Sequence, residues 1–211
     1  MGDGQPGRFI TLEGGEGAGK STQARLLAER LSVLGGPVLR TRAPGGAPGS
    51  EILRELLLSG RVNWSPPAET LLHFTARAEH VETTIRPTLA AGTWVICDRF
   101  FDSTMAYQGY GQGADKALIA TLTGLIGLTP DLTIVLDVSE AVAATRLQHR
   151  ATLADHYEQL DSGFHARVKA GFREIARLAP ARCVTLPADG DEAAVHEAIM
   201  TALRQRFALP G

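Results

Sequence analysis

Gly14-Gly15-Glu16-Gly17-Ala18-Gly19-Lys20-Ser21 reads GGEGAGKS and fits G-x-x-x-x-G-K-[ST] at each fixed position. Before it lies a short apolar, β-prone run, Phe9-Ile10-Thr11-Leu12. After it, Thr22 to Leu31 has helical periodicity. Strand, glycine loop, helix is the setting in which the motif acquires meaning. The glycines let backbone N–H groups converge on phosphate oxygens, and the helix N-terminus adds its positive dipole end. In that setting Lys20 reaches the β- and γ-phosphates and Ser21 ligates Mg²⁺. The stretch predicts a site for a nucleoside triphosphate.

Working outward, the 211 residues suffice for one substantial core and would crowd two. The chain is therefore expected to be one domain over residues 1–211, with residues 1–8 as a mobile leader. Hydrophobic content of 44%, charge of 21% and a net charge of −2 describe an ordinary globular chain. That balance offers no basic field for a nucleic-acid polymer, and no apolar run reaches the roughly 18 residues of a membrane span. The start, MGDGQPGR, has no apolar centre of the kind a signal peptide needs. Cys97 and Cys183 both sit in short apolar runs and read as buried small hydrophobes, which fits a cytoplasmic location. The phosphate motif contains one of only three lysines, Lys20, the others being Lys116 and Lys169.

Five apolar runs have the length of buried strands: Phe9–Leu12, Val38–Thr41, Trp94–Cys97, Leu132–Val138 and Cys183–Leu186. Helical segments separate them, so a mainly parallel sheet with helices on both faces is expected. The loop Ala43 to Gly49 follows the second run and belongs at the carboxyl edge of the sheet, where ligands bind in open α/β folds. Ser50 is expected to cap a short helix over Glu51–Leu58, and Pro66-Pro67 to start a longer one. In that longer helix Leu71, Phe74, Ala78, Val81, Ile85 and Leu89 mark an apolar stripe, and Pro87 should kink or end it. Further helices are expected at about Asp115–Ile126, Asp155–Ala179 and Glu192–Phe207. Two strands end in aspartate, Asp98 and Asp137. Either could hold a metal, but Asp98 leads into a polar, aromatic stretch and is the metal-side candidate, whereas Asp137 precedes what looks like a helix cap.

Ile96-Cys97-Asp98-Arg99-Phe100 followed by Ser103-Thr104-Met105-Ala106-Tyr107-Gln108 resembles the signature of thymidylate (dTMP) kinases. Glu13 to Thr22, Arg42-Ala43-Pro44-Gly45-Gly46 and Phe74-Thr75-Ala76-Arg77 agree in order and spacing. The resemblance runs from about Phe9 to Leu178, and its acidic phosphate loop looks like the bacterial branch. It implies a P-loop NTPase-type three-layer α/β/α fold with an about five-stranded parallel sheet, helices on both faces and a short lid over about 147–157. It also implies transfer of the ATP γ-phosphoryl group to dTMP, which supplies dTTP for DNA synthesis, and a homodimer.

Residue by residue, the resemblance assigns the loop residues Gly14, Gly15, Gly17, Ala18, Gly19, Lys20, Ser21 and Thr22, with Arg146, to the ATP phosphates and nucleotide. Phe74 would stack on thymine and Arg77 would donate to a base oxygen. Arg54 and Arg99 would grip the acceptor phosphate bidentately, as the guanidinium fork allows. Tyr107 would crowd the sugar 2′ position, while Ser103, Thr104 and Gln108 sit near base and phosphate. Glu16 would lie near the sugar 3′-hydroxyl or the metal, and Glu13 would be a structural acceptor. Adenine contacts fall near Ala188-Asp189-Gly190.

Two positions depart from the family pattern. Ala43 stands where the loop normally carries glutamate, and the lid reads Asp155-His156 where an arginine normally follows the aspartate. Histidine is only partly charged near neutrality and has no guanidinium fork. Arg150 is therefore the expected lid cation, with Arg146 as second choice. A kinase of another nucleoside monophosphate and a weakly active nucleotide-binding module remain alternatives. A GTP-dependent switch would need N-K-x-D, and no lysine here follows an asparagine.

Overall fold

The computed structural model describes residues 7–34, 36–149 and 157–209. The segment 150–156, with Arg150, Asp155 and His156, lies outside them, as do most of the expected leader and much of the expected lid.

Five strands form one parallel sheet in the order β2-β3-β1-β4-β5: β1 Phe9–Glu13, β2 Val38–Arg42, β3 Trp94–Asp98, β4 Leu132–Asp137 and β5 Cys183–Pro187. Each matches an apolar run of the sequence. β1 sits centrally, with Ile10 opposite Ile96 on one side and Leu132 on the other. Its alternation divides the core. Ile10 and Leu12 pack with Leu27 and Leu31 of α1 (Lys20–Val33) and with Ile199 and Leu203 of α9 (Glu192–Phe207). Phe9 points the other way, to Val95, Phe100, Val81 and Ile85. Both cysteines are free and buried, as expected of small core residues.

Six further helices complete the layers: α2 Pro48–Leu58, α3 Pro66–His80, α5 Phe101–Thr104, α6 Lys116–Ile126, α7 Glu140–Gln148 and α8 Ser162–Leu178. A wide turn of helix over Val81–Ile85 carries α3 into α4 (Arg86–Ala90), and a second one over Met105–Gly111 extends α5. Asp115, Ser139, Asp161 and Asp191 cap α6, α7, α8 and α9 with their side-chain oxygens.

Four helix expectations need correction. Ser50 does not cap α2, which starts at Pro48 after Ala47; its buried hydroxyl instead bonds the backbone N–H and carbonyl of Gly45, both at 2.9 Å. The expected helix over Asp155–Ala179 is a short turn at Tyr157–Gln159 followed by α8, because the Asp161 carboxylate caps Phe164 N–H at 2.8 Å. Pro87 does not end the helix, which runs on to Ala90; the expected irregularity falls one turn earlier, as the wide turn over Val81–Ile85. The apolar stripe of α3 has the wrong phase at its start. Leu71 and Ala78 are exposed, while Glu69, Thr70, His73, Phe74, Ala76, Arg77 and His80 are buried.

α5 is tied to the base of β5 by Asp102 and Arg182, whose side chains pair through two bonds of 2.6 and 2.7 Å with Asp102 only 3% exposed. Arg182 also bonds Thr133 at 2.9 Å and covers the Phe101 ring at 5.0 Å. Removing one partner of such a pair strands the other in low dielectric. Arg182→Ala should therefore lower unfolding free energy by about 3 kcal/mol or more, read from urea unfolding midpoints. A loss under about 1 kcal/mol would show the pair to be incidental.

Candidate nucleotide-binding and phosphoryl-transfer site

The glycine loop joins β1 to α1 and lies against two other elements. Gly14 has φ +137°, and a Cβ there would stand 2.5 Å from the Leu136 carbonyl oxygen of β4. Gly17 has φ +71°, and its Cβ would meet the Ala143 carbonyl oxygen of α7 at 2.7 Å. Neither position admits a side chain. Gly19 leads into α1 with no side-chain cap, so the first N–H groups of α1 are left to an incoming anion. Lys20 Nζ donates to Gly15 O at 2.6 Å, inside the curl of the loop. Burial, reinforced by Arg99 nearby, lowers its pKa to about 8 despite Glu16, Asp98 and Glu13.

Ser21, first-turn residue of α1, donates its hydroxyl to Asp98 at the end of β3. Among the described residues no cluster of three or more His, Cys, Asp or Glu side chains could hold a metal alone. A hydroxyl and one carboxylate suit Mg²⁺, a hard cation that keeps several waters and takes further ligands from phosphate. Asp137 accepts from Arg173 at 2.8 Å and lies 3.4 Å from Lys169, an arrangement that holds α8 to β4 and supports the structural reading.

Arg99, directly after β3, is the hub. Its backbone has φ +69°, unusual for a residue with a side chain, and is held by N–H donation to Leu12 O at 2.9 Å. The guanidinium donates to Glu16 at 2.5 Å, Tyr107 OH at 3.0 Å, and Gly14 O and Ser103 Oγ at 3.2 Å. Tyr107 in turn donates to Glu16 at 2.8 Å. Burial opposes the charge on Arg99, but Glu16, Tyr107, Asp98 and Glu13 outweigh it and raise its pKa further. Glu13 accepts from Phe100 N–H at 2.7 Å and Ser103 Oγ at 2.5 Å, the structural acceptor the sequence suggested. Burial and the neighbouring Asp102 nevertheless push its pKa to about 7.

Two cavities meet here. A large one of about 700 Å³ runs along Glu16–Gln23, Asp98, Arg146 and Glu192. A small one of about 60 Å³ is walled by His73, Arg77, Ser103, Thr104, Tyr107, Gln108 and Tyr157. Glu16, Ala43, Arg54 and Arg99 line both. Arg54 is half-buried and donates to Pro44 O at 2.8 Å. Arg146 donates to Gly17 O at 3.4 Å and Gly190 O at 2.8 Å, bridging the loop and the turn after β5. Arg77 is 3% exposed and gives one nitrogen to Phe100 O at 3.0 Å and Thr104 Oγ at 2.9 Å. Its Nε and Nη1 have no hydrogen-bond partner among the described residues.

The structure thus gathers nearly all sequence-predicted residues around one junction, with two qualifications. Arg150 lies outside the described residues. Phe74 does not reach the small cavity: its ring packs with Ala114 and Ile119 in the core, under the Arg77 guanidinium at 4.6 Å. Sequence reasoning missed Glu69, His73 and Tyr157, which form a buried polar network with Gln108. A signal was present, since Glu69, His73 and Arg77 recur at four-residue steps and so share one helix face. Ala43, where a glutamate was expected, packs with Val81, Phe100 and Phe101.

A family model described as Thymidylate kinase matches residues 12–199. The thymidylate kinase of Caulobacter vibrioides is 49% identical over 206 residues, covering 96% of this chain and 99% of that protein. That of Afipia carboxidovorans is 50% identical, covering 96% and 91%. The crystal structure of thymidylate kinase from Ehrlichia chaffeensis superposes with a TM-score of 0.79 at 39% identity, over 94% of this chain and 99% of that one. Glycine loop, Arg99 hub, paired cavities and these matches agree: the chain belongs to the thymidylate kinase family.

Proposed function

We propose that the chain is one kinase domain that transfers the γ-phosphoryl group of ATP to dTMP, giving dTDP and ADP. One observation carries the acceptor reading: buried Arg77 directs two unpartnered donors beside a small cavity that meets the phosphate loop. Such donors suit the 4-keto oxygen of thymine or uracil and oppose the 4-amino group of cytosine, which would leave buried donors facing donors. The Tyr107 ring, held by Glu16 and Arg99, supports a deoxyribose preference by crowding the 2′ position.

Phosphoryl transfer needs in-line positioning and neutralised charge rather than a protein nucleophile. The uncapped N–H groups of α1 and Lys20 hold the donor phosphates. Arg54 and Arg99 hold the acceptor phosphate, Arg99 keeping its bond to Glu16 while offering its remaining N–H, at Nε. Ser21 and Asp98 would hold Mg²⁺, which neutralises charge on the β- and γ-phosphoryl oxygens. Arg146, across Gly17 and Gly190, lies where adenine contacts were expected and offers its guanidinium plane to the base. Two further readings belong to the same proposal. A homodimer is supported by Ile52 and Leu56, one turn apart on α2, and Leu71 on α3, all apolar and exposed. A reducing cytoplasm fits two free, buried cysteines. No helix among the described residues is long and apolar enough to cross a membrane.

In a coupled ADP-release assay with Mg·ATP, dTMP should be turned over at least tenfold more efficiently than dUMP, dCMP, dGMP or AMP. Preference for any other of these overturns the assignment. For the lid, Arg150→Ala should cut turnover by about a thousandfold, the scale of an arginine acting on transferring phosphate, and His156→Ala far less. The reverse ranking would move the catalytic charge to His156. Lys20 gives a pH dependence. Phosphate binds its ammonium form, so nucleotide affinity is level below the free-protein pKa of about 8 and falls as pH rises past it. Calorimetric titration of ADP should show this fall, and Lys20→Arg should abolish it.

A further inference from the structure

We propose that Glu51 is a positioning residue for the acceptor phosphate: it anchors the loop after β2 and, through that loop, sets Arg54. This rests on the acceptor reading above, in which Arg54 grips the phosphate. Arg54 lines both cavities, and its Nη1 donates to Pro44 O at 2.8 Å. An arginine on a helix has many rotamers to choose from, and that carbonyl is what holds the guanidinium at the junction. Its remaining N–H groups are left for phosphate oxygens, which a guanidinium binds as a fork only when its plane is held.

The carbonyl is only as well placed as the loop that carries it. Two glycines, Gly45 and Gly46, give that loop no side chains of its own to hold it. Instead, every polar backbone group from Pro44 to Gly46 is bonded by a side chain from elsewhere. Ser50 binds the N–H and the carbonyl of Gly45, both at 2.9 Å. Glu51 Oε1 accepts from Gly46 N–H at 2.7 Å, and Thr84 donates to Gly46 O at 3.1 Å. All of these but Thr84 belong to α2, so the helix that carries Arg54 also holds the carbonyl that orients it. Glu51 and Arg54, three residues apart, share a face of that helix.

Glu51 also places a charge in this frame. Its Oε2 accepts from Arg42 at 2.9 Å, and Arg42 and Arg54 both line the large cavity. Burial opposes the carboxylate, but the Gly46 N–H, Arg42 and Arg54 outweigh it and hold its pKa below the ordinary range. A fixed anion beside both guanidiniums offsets their mutual repulsion, which would otherwise turn Arg54 away from the junction.

The test is calorimetric binding of dTMP, thymidine and ADP, each separately, to the full-length chain and its variants. Loss of one charge-assisted contact corresponds to roughly tenfold to a hundredfold in affinity. Glu51→Ala should weaken dTMP by that factor. Thymidine, which has no phosphate, and ADP should bind as before, which also reports that the variant is folded. Glu51→Gln, whose amide oxygen still accepts from Gly46 N–H, should recover most of the loss. Because Glu51 acts through Arg54, Arg54→Ala alone and Arg54→Ala with Glu51→Ala should bind dTMP equally weakly. The proposal is overturned if Glu51→Ala binds dTMP like the unaltered chain or loses thymidine or ADP in equal measure. It is overturned as well if Glu51→Gln recovers nothing or if the two losses add in the double variant. Should the unaltered chain bind another monophosphate in place of dTMP, the functional assignment fails. The same comparison of that monophosphate with its nucleoside still decides the role of Glu51.

Discussion

The bond between Arg99 and Glu16 joins the two halves of the site. Glu16 belongs to the loop after β1, Arg99 to the turn after β3, and the β1–β3 register places their strand ends side by side. A guanidinium only 18% exposed loses most of its hydration and must find fixed partners. It finds four, including the Gly14 carbonyl and Tyr107. Because these come from the glycine loop and from the helix behind the acceptor cavity, satisfying one cation sets the distance between donor and acceptor sites. The positive φ of Arg99 belongs to the same constraint: it turns the chain sharply out of β3 so that the side chain folds back over the loop. Lys20 and Glu13 register this in opposite senses, one pKa lowered in part by Arg99, the other raised by burial while Arg99 restrains it.

That constraint explains why α3 is polar where a core helix should be apolar. Its buried face carries Glu69, His73 and Arg77, all within reach of the acceptor cavity or its wall. In an interior without a ligand such residues would be costly, and here they satisfy one another through Tyr157 and Gln108. The network borders a cavity rather than filling a core. Its polarity fits the ligand site proposed for that cavity.

The same fact sets the limit of what the sequence discloses. The inner strands β1, β3 and β4 are legible because parallel strands buried on both faces are short unbroken apolar runs, the partly exposed edge strands β2 and β5 through shorter apolar stretches, and the glycine loop because its geometry excludes side chains at Gly14 and Gly17. Periodicity misjudges α3 because it counts apolar residues. Where the inner face is a polar binding surface, the count locks onto Leu71 and Ala78, which face outward. Phe74 illustrates the same limit: its ring packs with Ala114 and Ile119 and does not line the small cavity, while His73, one position earlier, does, which shows only once the helix phase is known. Asp161 was readable in principle as a cap, yet the helical pattern running up to it from Asp155 concealed the break.

Charge at the junction bears on what the chain must borrow. The two cavities together are lined by Lys20, Arg42, Arg54, Arg77, Arg99 and Arg146 against Glu16, Asp98, Glu158 and Glu192, a surplus of two positive charges. A phosphomonoester brings nearly two negative charges, and a nucleoside triphosphate about twice that. A surplus of two and a helix terminus leave part of that charge unbalanced. The proposed Mg²⁺ at Ser21 and Asp98 and the proposed lid cation at Arg150 would supply what is missing. The carboxylate on the loop fixes Arg99 in place and, by pairing with it, leaves less of its charge for phosphate, which is why the proposed reaction draws on a metal and a further arginine.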